Sequence, residues 1–479
     1  MALYVIMFAT QRLYPFIDLP NHLAEVAIYK WANTSVLGKF YNVDSNIIHP
    51  SSLHYLFCNF FDDVETGNRV YYILYVLLLP CITCLVILKL GGNWRFALLS
   101  LLLIFNYNAV YGLAGFTMAI PIVLLVFYIL CYDTTWANVV LAGVLVLLFL
   151  SHALCLLFSL FLIFVLAVWR SKNIKEFLAR VWFVAPVFVL FVVWQMHAFK
   201  SDESTSAYLI DYYLNYYLPR FYLRSKIFLF DNFVLAEGIK GVIPAFVFSC
   251  VMLFPVFIKL IKRKINFSTI WSFSKQHKES IAFVFVCFAC CFGLPGGLPG
   301  QEVLYQRFAV FFFLSIIILG SILHKNSTNK YFQGVALAAV LAHLILWYDY
   351  MSEFDRETEI FNPSFFTGVP SNEPMASVMI DFNYRGRPVY MHFSNYHIVW
   401  NKGVVTTMLI DYRFGSIKRG VSKEVLPELQ EWAGISRQIP EEHLKLKYLF
   451  LKGNPDNLPA TAVTIAERKD WKILKLNGK

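Results

Sequence analysis

The sequence predicts a polytopic α-helical membrane protein that ends in a small water-soluble α/β domain. Apolar residues occupy 58% of the 479 positions and charged residues only 15%, whereas a soluble protein has about 25% charged residues. The long apolar runs end near residue 349, and residues 350–479 hold 17 basic and 15 acidic side chains in a mixed pattern. These observations divide the chain into a membrane domain, residues 1–349, and a C-terminal domain, residues 350–479.

Eleven transmembrane helices are predicted, since a helix needs about 20 apolar residues to cross a bilayer. Residues 1–15 are short for a span and lack the features of a signal peptide, so we interpret them as the outer part of a first helix. The other predicted spans are residues 69–90, 94–107, 113–132, 136–151, 152–169, 181–199, 241–261, 280–294, 307–323 and 331–349.

Two long segments between the predicted spans are rich in polar residues. In the first external loop, residues 16–68, Pro20 suits the opening turn of a helix that runs to about Trp31. A second short helix is expected after His49-Pro50. The aromatic external loop, residues 200–240, has tyrosine and phenylalanine at partly helical spacing, which is typical of an amphipathic helix at a membrane surface.

The distribution of charge predicts the orientation, because basic residues are retained in cytoplasmic loops. One set of alternate loops carries 14 basic and three acidic residues, and the opposite set carries eleven acidic residues. We therefore expect both long loops and the C-terminal domain to lie outside the cytoplasm. The net charge of +10 is then an orientation signal and does not predict binding to nucleic acid.

The C-terminal domain shows short β-rich runs and one amphipathic pattern. An α/β domain is predicted from this alternation. The predicted strands are Ser377–Phe382, Pro388–Phe393, Val404–Ile410, Lys445–Leu451 and Trp471–Leu476, and the predicted helix is Lys423–Ala433.

Asp18 and His22 are the first candidate catalytic residues, at the start of the first external loop. Asp18 is placed either to interact with a helix N-terminus or to act as a general base on a substrate hydroxyl. His22, one helical turn later, can form a proton-handling pair with it. The two could also ligate a divalent cation. Asp44 and His49, later in the loop, could complete either arrangement or be solvated loop residues.

His152, Arg307 and Arg224 are candidate binding residues at the same predicted membrane face. His152 interrupts an apolar hairpin, where an ionisable group costs free energy unless it faces a cavity, a partner or interfacial water. Arg307 opens a late span after a Gly/Pro-rich loop and suits a phosphate group. Arg224 in the aromatic loop is a second candidate, with anchoring at lipid headgroups as the alternative.

The order of these features resembles the GT-C superfamily of integral-membrane glycosyltransferases. The residues that carry the resemblance are Asp18, Pro20 and His22 in the first loop, Ser151-His152 in a later outer turn, and Arg307. The segment Tyr390–Tyr396, followed by Asn401-Lys-Gly403, is similar to the C-terminal domain of bacterial members with an Asp-x-Pro-x-His opening.

The resemblance implies a glycosyltransferase of the bacterial inner membrane that moves a sugar from a polyprenyl-phosphate donor to an extracytoplasmic glycan, lipid or protein. Asp18 would deprotonate or orient the acceptor hydroxyl, and His22 and His152 would tune it or bind the acceptor. Arg307, with Arg224 as a second candidate, would hold the lipid phosphate. This scheme requires no cofactor, and a divalent cation remains an alternative.

Two other classes of protein fit the composition, namely a lipid or solute transporter and a non-catalytic scaffold of an envelope-polysaccharide system. Transporters commonly contain inverted repeats and polar residues near the middle of the bilayer. The sequence shows no such repeat, and its candidate polar residues cluster at one predicted face. A scaffold would have no lipid-sized cavity beside Asp18.

Overall fold

A computed structural model describes residues 1–43, 49–132, 134–198, 239–262, 267–297, 304–326, 330–408, 416–431 and 437–476. The α-helices are α1 (Ala2–Thr10), α2 (Leu19–Trp31), α3 (Leu37–Phe40), α4 (Ser52–Cys58), α5 (Val64–Lys89), α6 (Tyr107–Val110), α7 (Ala114–Leu130), α8 (Thr135–Ser151), α9 (Ala153–Arg170), α10 (Ile174–Val181), α11 (Ala185–Ala198), α12 (Ile239–Lys262), α13 (Phe267–Gln276), α14 (Lys278–Gly293), α15 (Leu304–Leu323), α16 (Lys330–Thr358) and α17 (Tyr396–Asn401). The strands are β1 (Tyr41–Val43), β2 (Pro374–Met379), β3 (Val404–Val405), β4 (Ile417–Arg419), β5 (Tyr448–Lys452), β6 (Ala462–Arg468) and β7 (Trp471–Leu476).

The membrane domain is a bundle of apolar helices, which confirms the predicted polytopic class. Among the described residues, six helical segments are long and apolar enough to cross a membrane: Val64–Lys89, Ala153–Arg170, Ile174–Trp194, Gly241–Lys259, Leu304–Leu323 and Lys330–Phe366. Shorter apolar helices cover Trp94–Val110, Ala114–Leu130 and Thr135–Ser151. The apolar runs predicted as spans are helical over most of their described length, and Trp94–Leu103 forms a 3-10 helix that packs against α5, α15 and α16.

The first external loop is more structured than its polarity indicates. The two predicted helices are present as α2 and α4, and α3 and β1 lie between them. β1 pairs antiparallel with β4, Tyr41 opposite Arg419, and the Tyr41 hydroxyl donates to the carbonyl oxygen of Val405 at 3.2 Å. The loop and the C-terminal domain therefore lie on the same side of the bundle.

The C-terminal domain contains a five-stranded mixed sheet with the strand order β3-β2-β5-β7-β6. β2 is parallel to both β3 and β5, and β7 is antiparallel to β5 and β6. β7 begins and ends at the residues predicted for it, and β2, β3 and β5 overlap their predicted runs. The last membrane helix, α16, continues past residue 350 to Thr358.

Two secondary-structure predictions in this domain are wrong, and one strand was not predicted. Residues 388–393 form turns and the start of a 3-10 helix, because His392 has a left-handed backbone with φ +64° that no strand accommodates. The described part of the predicted helix, residues 423–431, is non-helical, and Pro427 lacks the N–H that a helix interior needs. Strand β6 was missed because it is a half-exposed edge strand.

The connection between α1 and α2 fastens the C-terminal end of α16 beside the first loop. The Gln11 side-chain amide donates to the carbonyl oxygen of Met351 at 2.9 Å. The Arg12 guanidinium donates to the carbonyl oxygen of Phe361 at 2.7 Å and to that of Thr358. Because these bonds join the connection to carbonyls inside α16 and just beyond its end, they fix where the C-terminal domain leaves the bundle.

Candidate functional site

The site is built on Asp18, which lies at the N-terminus of α2. Within the described residues, its carboxylate accepts no hydrogen bond from the α2 backbone, so it does not serve as a side-chain cap. The Asp18 N–H donates to the carbonyl oxygen of Tyr111 at 2.9 Å, and the Ile17 N–H donates to that of Val110 at 3.2 Å. The backbone is thus fixed while the side chain, 31% exposed, is left to face other groups.

Gly112 makes this close backbone approach sterically feasible. Its φ is +78°, a left-handed value that glycine adopts without strain. A Cβ atom at this position would lie 2.5 Å from the amide nitrogen of Leu19 and 3.1 Å from that of Asp18. The turn between α6 and α7 therefore supports the start of α2 through a residue that has no side chain.

His22 lies one turn into α2 and is paired with Glu25. The His22 Nδ1 is 3.0 Å from one carboxylate oxygen of Glu25, and the Asn21 amide donates to the other at 3.3 Å. Burial lowers the pKa of His22, but the carboxylates of Glu25 and Asp18 outweigh burial, and the pKa is raised above its ordinary value. The first turns of α2 thus carry a carboxylate and an imidazole whose protonated form is favoured by its neighbours.

His152 forms the junction between α8 and α9. Its extended backbone, φ −166° and ψ 125°, ends one helix and begins the next. The His152 Nδ1 accepts the Leu154 N–H at 3.2 Å, so the imidazole caps α9. Because Nδ1 is the acceptor, the neutral ring carries its hydrogen on Nε2.

Arg307, in the first turn of α15, brings a guanidinium nitrogen to 3.5 Å from the His152 Nε2. Both groups are hydrogen-bond donors, an arrangement that suits an anion shared between them. The Asn108 amide donates to the main-chain oxygen of Arg307 at 3.0 Å, so α6, which precedes the turn that supports Asp18, also contacts α15. Asp18 and His22 both interact electrostatically with this guanidinium. The structure therefore brings the four main candidate residues into one site.

His392 joins this site from the C-terminal domain, and sequence reasoning did not predict it. Its Nε2 lies 3.8 Å from an oxygen of Asp18, and its Nδ1 lies 3.5 Å from an oxygen of Glu431. The side chain is 8% exposed. A left-handed backbone at a non-glycine residue costs free energy and tends to occur at functional sites. The available signal was its place in the segment Tyr390–Tyr396, on which the resemblance partly rests.

The remaining candidates are in different positions. The His49 Nδ1 is 2.6 Å from the carbonyl oxygen of Pro50, and the ring meets Trp194 edge-on. Asp44, Arg224 and the predicted interfacial helix of the aromatic loop lie outside the described residues. Their roles therefore stay predictions.

His54, in α4, is a buried imidazole close to the site. Its Nε2 is 3.0 Å from the side-chain oxygen of Asn68. Burial lowers the pKa of His54 to about 3, and the nearby His22 adds to this effect. His54 is thus suited to a neutral, structural role beside the site.

A metal centre has no support from the described part of the chain. There, no group of three His, Cys, Asp or Glu side chains is placed to hold a metal ion. Because Asp44 lies outside the described residues, the divalent cation considered from the sequence stays a prediction.

The chain folds as a helical bundle with a structured first loop and a strand-containing C-terminal domain, an arrangement that it shares with a solved membrane-protein structure. Neither a protein-family model nor a curated protein sequence matches the chain. Among solved structures, the chain is similar to ArnT from Cupriavidus metallidurans, whose crystal structure was determined bound to undecaprenyl phosphate. The TM-score is 0.51 at 10% sequence identity, over 99% of this chain and 96% of ArnT. At this identity the similarity shows the fold alone.

Replacing Gly112 with alanine tests the support beneath Asp18. We expect Gly112→Ala to lower the midpoint of thermal unfolding, because the new Cβ would overlap the amide of Leu19 and the left-handed backbone costs alanine about 1 kcal/mol or more. Gly143→Ala in α8 is the matched control, since no described residue has a heavy atom within 4 Å of its added Cβ. The control should be neutral or stabilising. Equal midpoints for the two variants would contradict the assigned role of Gly112.

Proposed function

We propose that the protein is a membrane glycosyltransferase that moves a sugar from a polyprenyl-phosphate donor to an acceptor outside the cytoplasm. The single observation that carries this proposal is the placement of Asp18 within electrostatic range of Arg307, which is itself 3.5 Å from His152. A carboxylate that can accept a proton thereby lies near two donors that suit a phosphate. The similarity in fold to ArnT, whose structure was determined bound to undecaprenyl phosphate, supports a lipid-linked donor.

The proposed reaction exchanges one bond to the anomeric carbon of the sugar for another. The acceptor hydroxyl oxygen attacks this carbon, and Asp18 takes the hydroxyl proton as a general base. The bond between the anomeric carbon and the phosphate oxygen breaks, and its electron pair leaves with the polyprenyl phosphate. Arg307 and the Nε2–H group of His152 stabilise the negative charge that develops on the leaving phosphate.

His22 supports the base in this scheme. Its imidazole lies one helical turn from Asp18, and the Glu25 carboxylate favours its charged form. A positive charge there attracts the Asp18 carboxylate across one helical turn. The charge bias of the loops predicts that the site faces the outside of the cytoplasm. The proposed acceptor is therefore an extracytoplasmic glycan, lipid or protein.

The bacterial inner membrane, with the site and the C-terminal domain on its outer side, is the proposed location. The pairing of β1 with β4 supports a shared side for the first loop and the C-terminal domain. The orientation itself rests on the basic residues of the opposite loops, such as Arg170, Lys172 and Lys175 at the junction of α9 and α10.

Replacing Asp18 with asparagine tests the general base. We expect Asp18→Asn to lower kcat by about 100-fold or more, since the isosteric amide cannot take a proton. Asp62→Asn is the control, because Asp62 is an exposed acid of the same loop. The measurement is transfer of a radiolabelled sugar from a polyprenyl-phosphate donor by the purified protein. Full activity in Asp18→Asn would contradict the role of Asp18. A wild-type protein without transfer activity would favour the transporter or scaffold.

The proposed phosphate site is tested by changing its two donors separately. We expect Arg307→Gln and His152→Asn each to weaken inhibition by free polyprenyl phosphate, by roughly 10-fold or more, because each removes one donor to the phosphate. Asparagine at position 152 can still cap α9 through its side-chain oxygen, so His152→Asn should keep the wild-type unfolding midpoint. Unchanged inhibition in both variants would place the lipid phosphate elsewhere.

No divalent cation is needed in the proposed reaction, because Arg307 can neutralise the leaving phosphate directly. We expect the rate of transfer to stay within about 2-fold when the assay contains excess EDTA. A loss of activity in EDTA that added Mg²⁺ or Mn²⁺ restores would show that a cation, rather than the guanidinium alone, carries this charge.

A further inference from the structure

We propose that His392 positions the Asp18 carboxylate, so that the C-terminal domain completes the active site built on α2. This inference rests on the proposed function, in which Asp18 is the general base. Each ring nitrogen of His392 faces one carboxylate, Nε2 at 3.8 Å from Asp18 and Nδ1 at 3.5 Å from Glu431. The imidazole therefore bridges a residue of the first loop and a residue of the C-terminal domain.

Glu431 gives the bridge a fixed end. Its side chain is 3% exposed and accepts hydrogen bonds from the hydroxyls of Ser377 at 2.7 Å and Ser394 at 3.1 Å. It also accepts the backbone N–H of His392. A buried carboxylate is stable only when it is bonded in this way, and the bonds also fix its position. This anchor thus holds the backbone of His392 and lies 3.5 Å from its ring.

The backbone of His392 supports a functional role for the ring. Its φ of +64° places a non-glycine residue in the left-handed region, which is disfavoured for a residue without a compensating contact. The contact with Glu431 provides this compensation, and the consequence is that the ring is directed at Asp18. A conformation that costs free energy and directs a side chain at a reacting group is typical of a positioning residue.

A second contact between the same two parts of the chain lies beside the first. The Asn395 amide donates to the side-chain oxygen of Asn21 at 3.2 Å, and the Asn21 amide donates to Glu25 at 3.3 Å. Glu25 in turn pairs with His22. The C-terminal domain therefore reaches both polar groups of α2, Asp18 through His392 and His22 through Asn395.

The chemistry of the proposed step gives the His392 ring a specific task. With its hydrogen on Nε2, the His392 ring is directed to donate to the Asp18 carboxylate. This contact holds one carboxylate oxygen, and the other oxygen takes the proton of the acceptor hydroxyl. The ring thereby keeps Asp18 in the orientation from which it accepts the proton. His392 acts through Asp18, so we class it as a positioning residue.

Two substitutions of His392 separate positioning from a structural role. Asparagine tolerates a left-handed backbone, and its short side chain can reach Glu431 but not Asp18. Glutamine is long enough to reach the position of Nε2 and contact Asp18. We expect His392→Asn to lower kcat by about 10-fold to 100-fold with little change in KM for the donor lipid, and His392→Gln to recover most of kcat. Wild-type kcat in His392→Asn, or a lower kcat in His392→Gln than in His392→Asn, would overturn the proposal.

A second test measures thermal stability and needs no sugar transfer. Its result therefore does not depend on the proposed function. Thermal unfolding of wild type, Asp18→Asn, His392→Asn and the double variant forms a double-mutant cycle. Coupling between the two side chains should make the double variant lose less than the summed losses of the single variants, by about 1 °C or more. Additive losses would refute the contact whether or not the wild type transfers sugar. Coupling without any sugar transfer would support the contact and refute the glycosyltransferase function instead.

Discussion

The candidate site depends on two backbone hydrogen bonds that hold the start of α2 against the turn between α6 and α7. The N–H groups of Ile17 and Asp18 donate to carbonyl oxygens of this turn, so the position of Asp18 does not depend on its own side chain. The preceding helix, α6, contacts α15 through Asn108, where Arg307 lies. A carboxylate and a guanidinium from distant parts of the sequence are thereby placed by α6 and the turn that follows it. Preorganised charges of this kind can act on a reacting group without moving during the reaction.

The phosphate side of the site follows from how the apolar hairpin α8–α9 is interrupted. An apolar turn would have left backbone N–H groups of α9 without acceptors, and the His152 ring provides one acceptor. This capping bond leaves the other ring nitrogen as a donor beside Arg307. The His152 imidazole thus has two roles. Its Nδ1 caps α9, and its Nε2–H group is available to an anion.

Much of this arrangement could be predicted from the sequence, because Asp18, His152 and Arg307 are ionisable residues at the edges of apolar runs. In such a chain the polar exceptions are few, and each needs a partner.

His392 could not be found in this way, since the C-terminal domain is rich in charge and one more histidine carries little information there. Its contact with Asp18 also requires the left-handed turn that was predicted as a strand. The mispredicted helix at residues 423–433 likewise concealed that Glu431, beyond Pro427, is buried and bonded. Asp44 and Arg224 stay predictions because they lie outside the described residues.

The most direct test of the central claim is a cryo-EM structure of the protein with polyprenyl phosphate bound in a lipid nanodisc. We expect the phosphate oxygens within hydrogen-bonding distance of the Arg307 guanidinium and the His152 Nε2, with the Asp18 carboxylate facing the open side of the phosphate. A contradictory result would be a phosphate bound at the opposite end of α9, about 27 Å away for a helix of this length. A cavity of about 220 Å³ there is lined by Arg170 and Arg180. Binding in that cavity alone would separate the lipid from Asp18 and exclude the proposed reaction.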